Sequence, residues 1–142
     1  MGRLSQQVGN RGEAIMRNRL MAAGFLKVRK NETPKGMYRG KLAFTGTASV
    51  DFTCIHPVTG QLVHIEVKSY NGKLPHSAVK NNEAELDRYA NDTPALAVLA
   101  WLDTATFRSY VMPWPIPGFK KGVALTPEMA EQHAISKARD LK

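Results

Sequence analysis

The amino-acid sequence predicts an α/β fold with a mixed β-sheet. Helical and strand-like patterns alternate along the 142 residues, and a turn at residues 56–61 joins two adjacent strands into a hairpin. Residues 95–102 form a nearly continuous apolar run, which is typical of a strand buried on both faces of a sheet. Because no repeat or linker divides the chain, we expect residues 1–142 to form a single domain.

The first third of the chain predicts a helix, a short strand and a basic arm. Residues 6–23 have the apolar spacing of a helix, and Gly24 is placed to end it. Residues 25–30 are compatible with a short strand. Residues 33–47 mix proline, glycine and cations, so we expect an arm that protrudes from the domain.

The rest of the chain predicts the hairpin, two further strands and two further helices. Residues 49–69 alternate apolar and polar side chains on both sides of the turn. Residues 77–90 are predicted to be helical, and residues 95–102 and 107–112 to be strands. Residues 126–142 are predicted to form a C-terminal helix, because a threonine cap followed by proline opens this segment.

The net charge of +8 lies in the first third of the sequence. Residues 1–41 contain ten lysines and arginines against two acids, whereas residues 42–142 contain ten of each sign. A cationic region of this kind attracts polyanions such as nucleic acid and speeds their association. From charge alone, a solvated basic face that only maintains solubility is an equal alternative.

Cysteine content and hydropathy limit the cellular compartments in which this protein is expected. The single cysteine, Cys54, excludes an intramolecular disulfide and suits a reducing compartment. No apolar run approaches the roughly 20 residues that a membrane-spanning helix needs, and the first residues lack the apolar core of a signal peptide. We therefore expect a cytoplasmic protein with no membrane partner, and its sequence is compatible with a cellular or a viral gene.

Two acids and a lysine are placed together by the predicted hairpin. Glu66 and Lys68 share one face of the second strand, and Asp51 comes from the first strand. Glu13 borders the apolar stripe of the first helix, so its side chain is expected to point inward or into a cleft. Carboxylates this close repel one another unless a cation lies between them, and one lysine cannot neutralise three acids.

A divalent cation is the group that would balance these acids. Carboxylate oxygens suit Mg²⁺, with Mn²⁺ as its substitute. Such an ion polarises a phosphate and lowers the pKa of a bound water, which is the chemistry of phosphodiester hydrolysis. Lys68 would then hold the nucleophile or stabilise the charge of the pentacovalent state.

Each feature taken alone is also compatible with a purely structural role. A Glu-x-Lys triplet is often a cross-strand ion pair, Asp51 could stand at a turn, and Glu13 could pair with Arg17 on the helix surface. His64 shares the face of Glu66, and we expect it to be a surface histidine at the strand end and not part of the site. The combination of an inward acid with the hairpin acids and lysine favours a nuclease over these structural roles.

This combination resembles the PD-(D/E)xK nuclease superfamily and, within it, the Holliday junction resolvases of the RecU and archaeal Hjc kind. The similarity extends from about residue 9 to residue 118, and its motifs occur in the order of that family. The motifs are Asn10-Arg11-Gly12, Lys30, Thr33-Pro34, Ser49-Val50-Asp51-Phe52, Ile65-Glu66-Val67-Lys68-Ser69 and Leu74-Pro75. The sequence departs from the family at Val50, which replaces a proline, and at residues 81–83, where a glutamine is usual.

The resemblance implies a restriction-endonuclease-like fold, with a mixed sheet flanked by helices, and a homodimeric, Mg²⁺-dependent endonuclease. Such an enzyme cuts two strands of a four-way DNA junction symmetrically. Asp51 and Glu66 are then metal ligands, and Glu13 is a further acid of the metal site. Lys68 is the catalytic lysine, and the arm of residues 33–47 corresponds to the stalk that enters the junction in RecU proteins.

Cations and an aromatic residue near these motifs are the expected contacts to DNA. The cations would bind phosphates, and an aromatic ring in the arm could stack on unpaired bases. The predicted set is Arg3, Arg11, Lys30, Lys35, Tyr38, Arg39, Lys41, Lys73 and Lys80. The alternatives are another PD-(D/E)xK nuclease of restriction or repair type, or a non-catalytic nucleic-acid-binding module in which Glu66 and Lys68 form only an ion pair.

Overall fold

The computed structural model describes residues 2–31 and 51–142, with side chains described from residue 11 onward. Five strands in these ranges form one sheet in the order β1-β2-β3-β4-β5. The elements are α1 (Gly2–Ala23), β1 (Leu26–Lys30), β2 (Phe52–Ile55), β3 (Leu62–Tyr70), α2 (Lys80–Asp92), β4 (Leu96–Asp103), β5 (Arg108–Pro113) and α3 (Pro127–His133). Short 3₁₀ turns cover His76–Ala78 and Ala138–Asp140. The predicted α/β class with a mixed sheet flanked by helices is confirmed.

The sheet is mixed because one crossover interrupts a series of hairpin-like pairings. The pairs β1–β2, β2–β3 and β4–β5 are antiparallel, whereas β3 and β4 are parallel. Parallel neighbours need a long connection between them, and here α2 supplies it. The helix α2 lies against β3 and β4 and covers one face of these two strands.

The two faces of the sheet bury different kinds of side chain along β3. Val63, Ile65 and Val67 belong to the core that includes Met16 and Leu20 of α1. The alternate side chains point to the opposite face, where α2 and α3 cover the second core, formed around β4 and β5. Residues 63, 65 and 67 thus make one face of β3 hydrophobic, and residues 64, 66 and 68 place polar side chains on the other face.

The predicted C-terminal helix of residues 126–142 is wrong in its length. Thr126 caps α3 as expected, since its Oγ1 accepts a 3.2 Å hydrogen bond from the backbone N–H of Met129. The helix ends at His133 because Ala134 takes an extended conformation and the next residue, Ile135, donates its N–H to the carbonyl of Val111 at 2.8 Å. The chain thereby covers the free edge of β5 instead of continuing as a helix.

The segment after α3 is anchored by a buried histidine in the hairpin turn. His56 Nδ1 accepts hydrogen bonds from the backbone N–H groups of Val58 and Thr59, at 3.1 and 3.2 Å. Its Nε2 therefore carries the proton and donates to the carbonyl of Leu141 at 2.8 Å. Ala138 and Leu141 are buried in the α1-side core, so the tail closes one end of the sheet.

The predicted helix of residues 77–90 is divided into the 3₁₀ turn and α2, which begins at Lys80. The predicted basic arm, residues 33–47, lies outside the described residues. Within residues 2–31 and 51–142, no helix has the length and apolar character that crossing a bilayer requires.

Candidate active site

Asp51 and Glu66 are neighbours across the hairpin of β2 and β3. Phe52 pairs with Ile65 in this ladder, so Asp51, just before β2, lies beside Glu66 on the face that α2 covers. The backbone N–H of Val67 donates a 2.8 Å hydrogen bond to Asp51 Oδ2, which fixes the direction of this carboxylate. The structure thus brings together two of the acids that the sequence places on one face.

Glu66 is buried, and its charge is only partly compensated. Its side chain is 4% exposed, Lys68 Nζ lies 3.3 Å from Oε2, and Oε1 is buried without a hydrogen-bond partner in the described part of the chain. Burial raises the pKa of Glu66 to about 8, the charge of Asp51 raises it as well, and Lys68 opposes both effects. A single ammonium group therefore does not balance this carboxyl group.

The pKa of Asp51 is raised as well. Burial is again the largest cause, and the nearby charge of Glu13 adds to it. The hydrogen bond from Val67 lowers the pKa of Asp51, because it favours the ionised form, but it does not cancel the effect of burial. Two adjacent carboxyl groups with raised pKa values form a site that a cation would stabilise.

Glu13 approaches from α1, on the other side of the sheet. Its Oε1 lies 3.0 Å from Lys30 Nζ at the end of β1, so Glu13 pairs with this lysine and not with Arg17. Among the described residues, no three acids, histidines or cysteines are arranged closely enough to hold a metal ion by themselves. The charge of Glu13 raises the pKa of Asp51, so these two acids are electrostatically coupled. Asp51 and Glu66 are the acids that lie beside each other across the hairpin.

The donor set of Asp51 and Glu66 fits a hard divalent cation. Mg²⁺ keeps several water ligands and is commonly bound by one or two carboxylates together with substrate phosphates, so two protein acids suffice. The unpartnered Oε1 of Glu66 and the raised pKa of both acids indicate which oxygens a cation would satisfy. The carboxyl oxygens provide the hard ligands that this class of ion prefers.

His64 is not the surface histidine that the sequence predicts. Its ring is half-buried and stacks on Tyr89 of α2, with 3.6 Å between ring centroids. Arg88 lies over the same tyrosine ring at 4.5 Å and pairs with Glu85, which is buried. Burial lowers the pKa of His64, and the charge of Arg88 lowers it further. The sequence gives no sign of this cluster, because it depends on how α2 crosses β3.

The predicted DNA contacts lie in several parts of the chain. Arg3 lies in α1, Arg11 is exposed on that helix, and Lys30 pairs with Glu13. Lys73 and Lys80 are exposed beside the start of α2. The predicted contacts in the arm lie outside the described residues; they are Lys35, Tyr38, Arg39 and Lys41.

Comparison with known proteins gives a likeness in structure alone. No protein-family model matches the chain. No curated protein matches it in sequence. Among solved structures, the chain is similar to Hjc of Archaeoglobus fulgidus, a Holliday junction resolvase from an archaeal hyperthermophile, with a TM-score of 0.57 over 88% of each chain and 15% sequence identity. At this identity the likeness establishes architecture, and the resemblance suggested by the sequence motifs is confirmed at that level: the chain has the fold of Hjc.

Proposed function

We propose that this protein is a metal-dependent endodeoxyribonuclease that resolves four-way DNA junctions by paired, symmetric hydrolysis of phosphodiester bonds. The observation that carries the proposal is the buried pair of Asp51 and Glu66 with Lys68 beside it, within a fold shared with a Holliday junction resolvase. Burying an ionised carboxyl group costs stability, and carboxyl groups with raised pKa values cluster at functional sites, which favours a functional site over a structural ion pair.

Asp51 and Glu66 are the residues that would hold Mg²⁺ or Mn²⁺. The bound cation would supply a Lewis acid for the scissile phosphate and lower the pKa of water. The Val67 N–H holds Asp51 in one orientation, and burial limits the number of directions in which Glu66 can turn. Both carboxylates are thereby preorganised, with little reorganisation needed when the cation and the substrate arrive. Glu13 adds negative charge on the side of Asp51.

Lys68 is the proposed catalytic lysine. Its side chain is 22% exposed, so the ammonium group lies at the border between the buried acids and solvent. From there it can donate a hydrogen bond to a phosphate oxygen or hold the attacking water, while Glu66 keeps it in place. Loss of one preorganised donor of this kind commonly costs about 10²-fold or more in rate.

The proposed substrate requires two sites related by symmetry. A four-way junction has two equivalent scissile strands, and a two-fold homodimer presents two equivalent sites to them. The basic residues predicted as DNA contacts would bind the phosphates of the junction arms and set its position. We propose that the protein acts in the cytoplasm on such junctions during DNA recombination or repair.

The test incubates the purified protein with a labelled four-way junction, a linear duplex of matched sequence and a flap, in Mg²⁺ and in EDTA. We expect paired symmetric cuts in the junction alone, and only with Mg²⁺. Asp51→Asn, Glu66→Gln and Lys68→Ala should bind the junction and fail to cut it. Glu131→Gln and Lys137→Ala change exposed groups of α3 and of the tail, and they should cut normally.

The outcomes separate the alternatives. Equal cutting of the linear duplex would reject a resolvase and favour a restriction or repair nuclease of the same superfamily. Tight junction binding without cutting in any divalent metal would favour a non-catalytic nucleic-acid-binding module. Undiminished cutting by all three site variants would show that Asp51, Glu66 and Lys68 do not form the active site.

A further inference from the structure

A basic cleft of about 600 Å³ lies at the end of β3, beyond the candidate active site. Its walls are the loop that follows β3, the first residues around the start of α2, and residues 121–124 of the C-terminal segment. Leu74 and Leu125 hold the two walls together, because each donates its backbone N–H to the carbonyl of the other, at 2.9 and 2.7 Å. The cleft is therefore a fixed feature of the fold and not a gap between loosely packed loops.

Lysines outnumber acids by three to one in the lining of this cleft. Lys73, Lys80 and Lys121 are exposed, and none of them forms an ion pair within the described residues. Glu83 also lines the cleft, but its Oε2 lies 2.7 Å from His76 Nε2 and is engaged there. Clustered like charges repel one another, so a cleft with three ammonium groups is most stable when an anion lies between them.

The cleft lies within reach of the same DNA as the candidate active site. Lys68 and Lys73 are five residues apart along the chain, so their backbones are separated by at most about 18 Å. One turn of B-form DNA spans about 34 Å, so a duplex bound at the active site is long enough to reach the cleft. Lys68 also points to the face of the sheet that α2 covers, and the start of α2 forms one wall of the cleft.

We propose that this cleft binds a backbone phosphate of the substrate DNA a few nucleotides from the scissile bond, and that Lys121 is a DNA contact. This inference rests on the proposed function and deepens it. Lysine binds a phosphate as a point charge, and a contact to a backbone phosphate carries no information about the bases, so this contact is independent of sequence. The cleft then helps to place the scissile phosphate at Asp51, Glu66 and Lys68 without specifying the bases around it.

The test compares neighbouring lysines of which only one lines the cleft. Lys121→Ala is measured against Lys120→Ala, whose side chain is exposed next to it but outside the cleft. Affinity for a labelled four-way junction and for a matched duplex is measured in EDTA over a range of salt concentrations. Loss of one phosphate contact should weaken binding roughly threefold or more and reduce the slope of log K against log salt by about one.

A second pair of variants tests the charge of the cleft without removing a lysine. Ser77→Glu places a carboxylate at the cleft wall, and Ser77→Gln is its neutral counterpart of similar shape. We expect Ser77→Glu to bind both DNAs more weakly than Ser77→Gln.

The combined replacement of Lys73, Lys80 and Lys121 by alanine should weaken DNA binding by about 10-fold or more and reduce the salt slope by about two to three. Circular dichroism of each variant checks that the fold is retained.

The outcomes for the cleft and for the nuclease are distinguishable. If the wild type binds and cuts the junction while Lys121→Ala and Ser77→Glu bind like their controls, the cleft is not a phosphate site. The proposed nuclease function is then still supported. If the wild type binds DNA and the variants bind it more weakly, but no Mg²⁺-dependent cutting occurs, the phosphate site in the cleft is supported and the proposed catalysis is rejected. If the wild type binds neither DNA, both proposals are rejected.

Discussion

Gly12 of α1 packs directly on Ser69 of β3. A methyl group at position 12 would overlap Ser69 Oγ and would lie 3.2 Å from Ser69 Cβ and 3.6 Å from Leu102 Cδ2. The backbone of α1 at Gly12 therefore lies directly against the side chain of Ser69, which leaves no room for a side chain at position 12. Glu13 follows Gly12 and Lys68 precedes Ser69, so this contact sets the distance between α1 and the candidate site.

Gly12→Ala should destabilise the protein, although alanine is the better helix former. In an open helix position this change stabilises by about 1 kcal/mol, but here the overlap with Ser69 should reverse the sign and cost about 1–3 kcal/mol. Urea unfolding followed by circular dichroism measures the change. Asn18→Ala, at an exposed position of the same helix, should be neutral or stabilising.

A second substitution tests the mechanism. Gly12→Ala combined with Ser69→Gly removes the atoms that the methyl group overlaps, so the two changes should be strongly non-additive. Additive free energies in this cycle would show that the cost of Gly12→Ala does not come from Ser69.

Glu66→Gln should stabilise the metal-free protein at neutral and higher pH. The folded chain raises the pKa of Glu66 from 4.5 to about 8, so between these values it retains a proton that the unfolded chain has released. The free energy of unfolding must therefore fall as pH rises through this window, by on the order of 1 kcal/mol per pH unit. Urea unfolding in EDTA from about pH 5 to about pH 8 should show a steeper decline for wild type than for Glu66→Gln. Parallel curves would contradict the raised pKa, and Glu131→Gln should follow the wild type.

Mg²⁺ should stabilise the wild-type protein against heat. A ligand that binds only the folded chain adds about 2.7 kcal/mol when its concentration is about 100 times its dissociation constant. The expected result is a rise in Tm with Mg²⁺ concentration for wild type, and little or no rise for Asp51→Asn or Glu66→Gln. Because this measurement needs no DNA, a flat response in the wild type would count against the metal site independently of any cleavage assay.

His56→Ala should destabilise the domain by about 2–4 kcal/mol. The substitution removes both hydrogen bonds accepted by the ring and leaves the carbonyl of Leu141 without its donor in a buried position. Urea unfolding measures the loss, and limited proteolysis should cut the segment after α3 more readily than in wild type. His133→Ala, at the partly buried end of α3, is the control, and we expect a cost below about 1 kcal/mol. Equal costs for the two histidines would show that His56 does not anchor the tail.

The proximity of the two hairpin acids can be predicted from the sequence because their relationship is local. Asp51 and Glu66 meet through one hairpin, and a turn with alternating strands fixes which residues face each other. The buried strand β4 is equally clear, since a continuous apolar run between two turn-rich segments is typical of a central strand. Both features depend on local patterns, either two strands joined by one turn or one continuous apolar run, which a sequence displays directly.

The remaining features depend on packing between distant segments. The stacking of His64 on Tyr89 follows from the crossing of α2 over β3, and the cleft at Lys121 follows from the pairing of Leu74 with Leu125. The sequence predicts a helical tail, and the spacing of Ala138 and Leu141 is compatible with one. A 3₁₀ turn presents the same two residues to the core, so spacing alone cannot separate the two conformations.

The opposite characters of the two faces of β3 also divide the ways in which mutations can harm this protein. Side chains at 63, 65 and 67 belong to the α1-side core, whereas those at 66 and 68 belong to the candidate active site. In a deep mutational scan of this strand, cellular abundance and DNA cleavage would respond at alternating positions. Substitutions at 63, 65 and 67 would lower the cellular abundance of the protein. Substitutions at 66 and 68 would leave its abundance unchanged and abolish DNA cleavage.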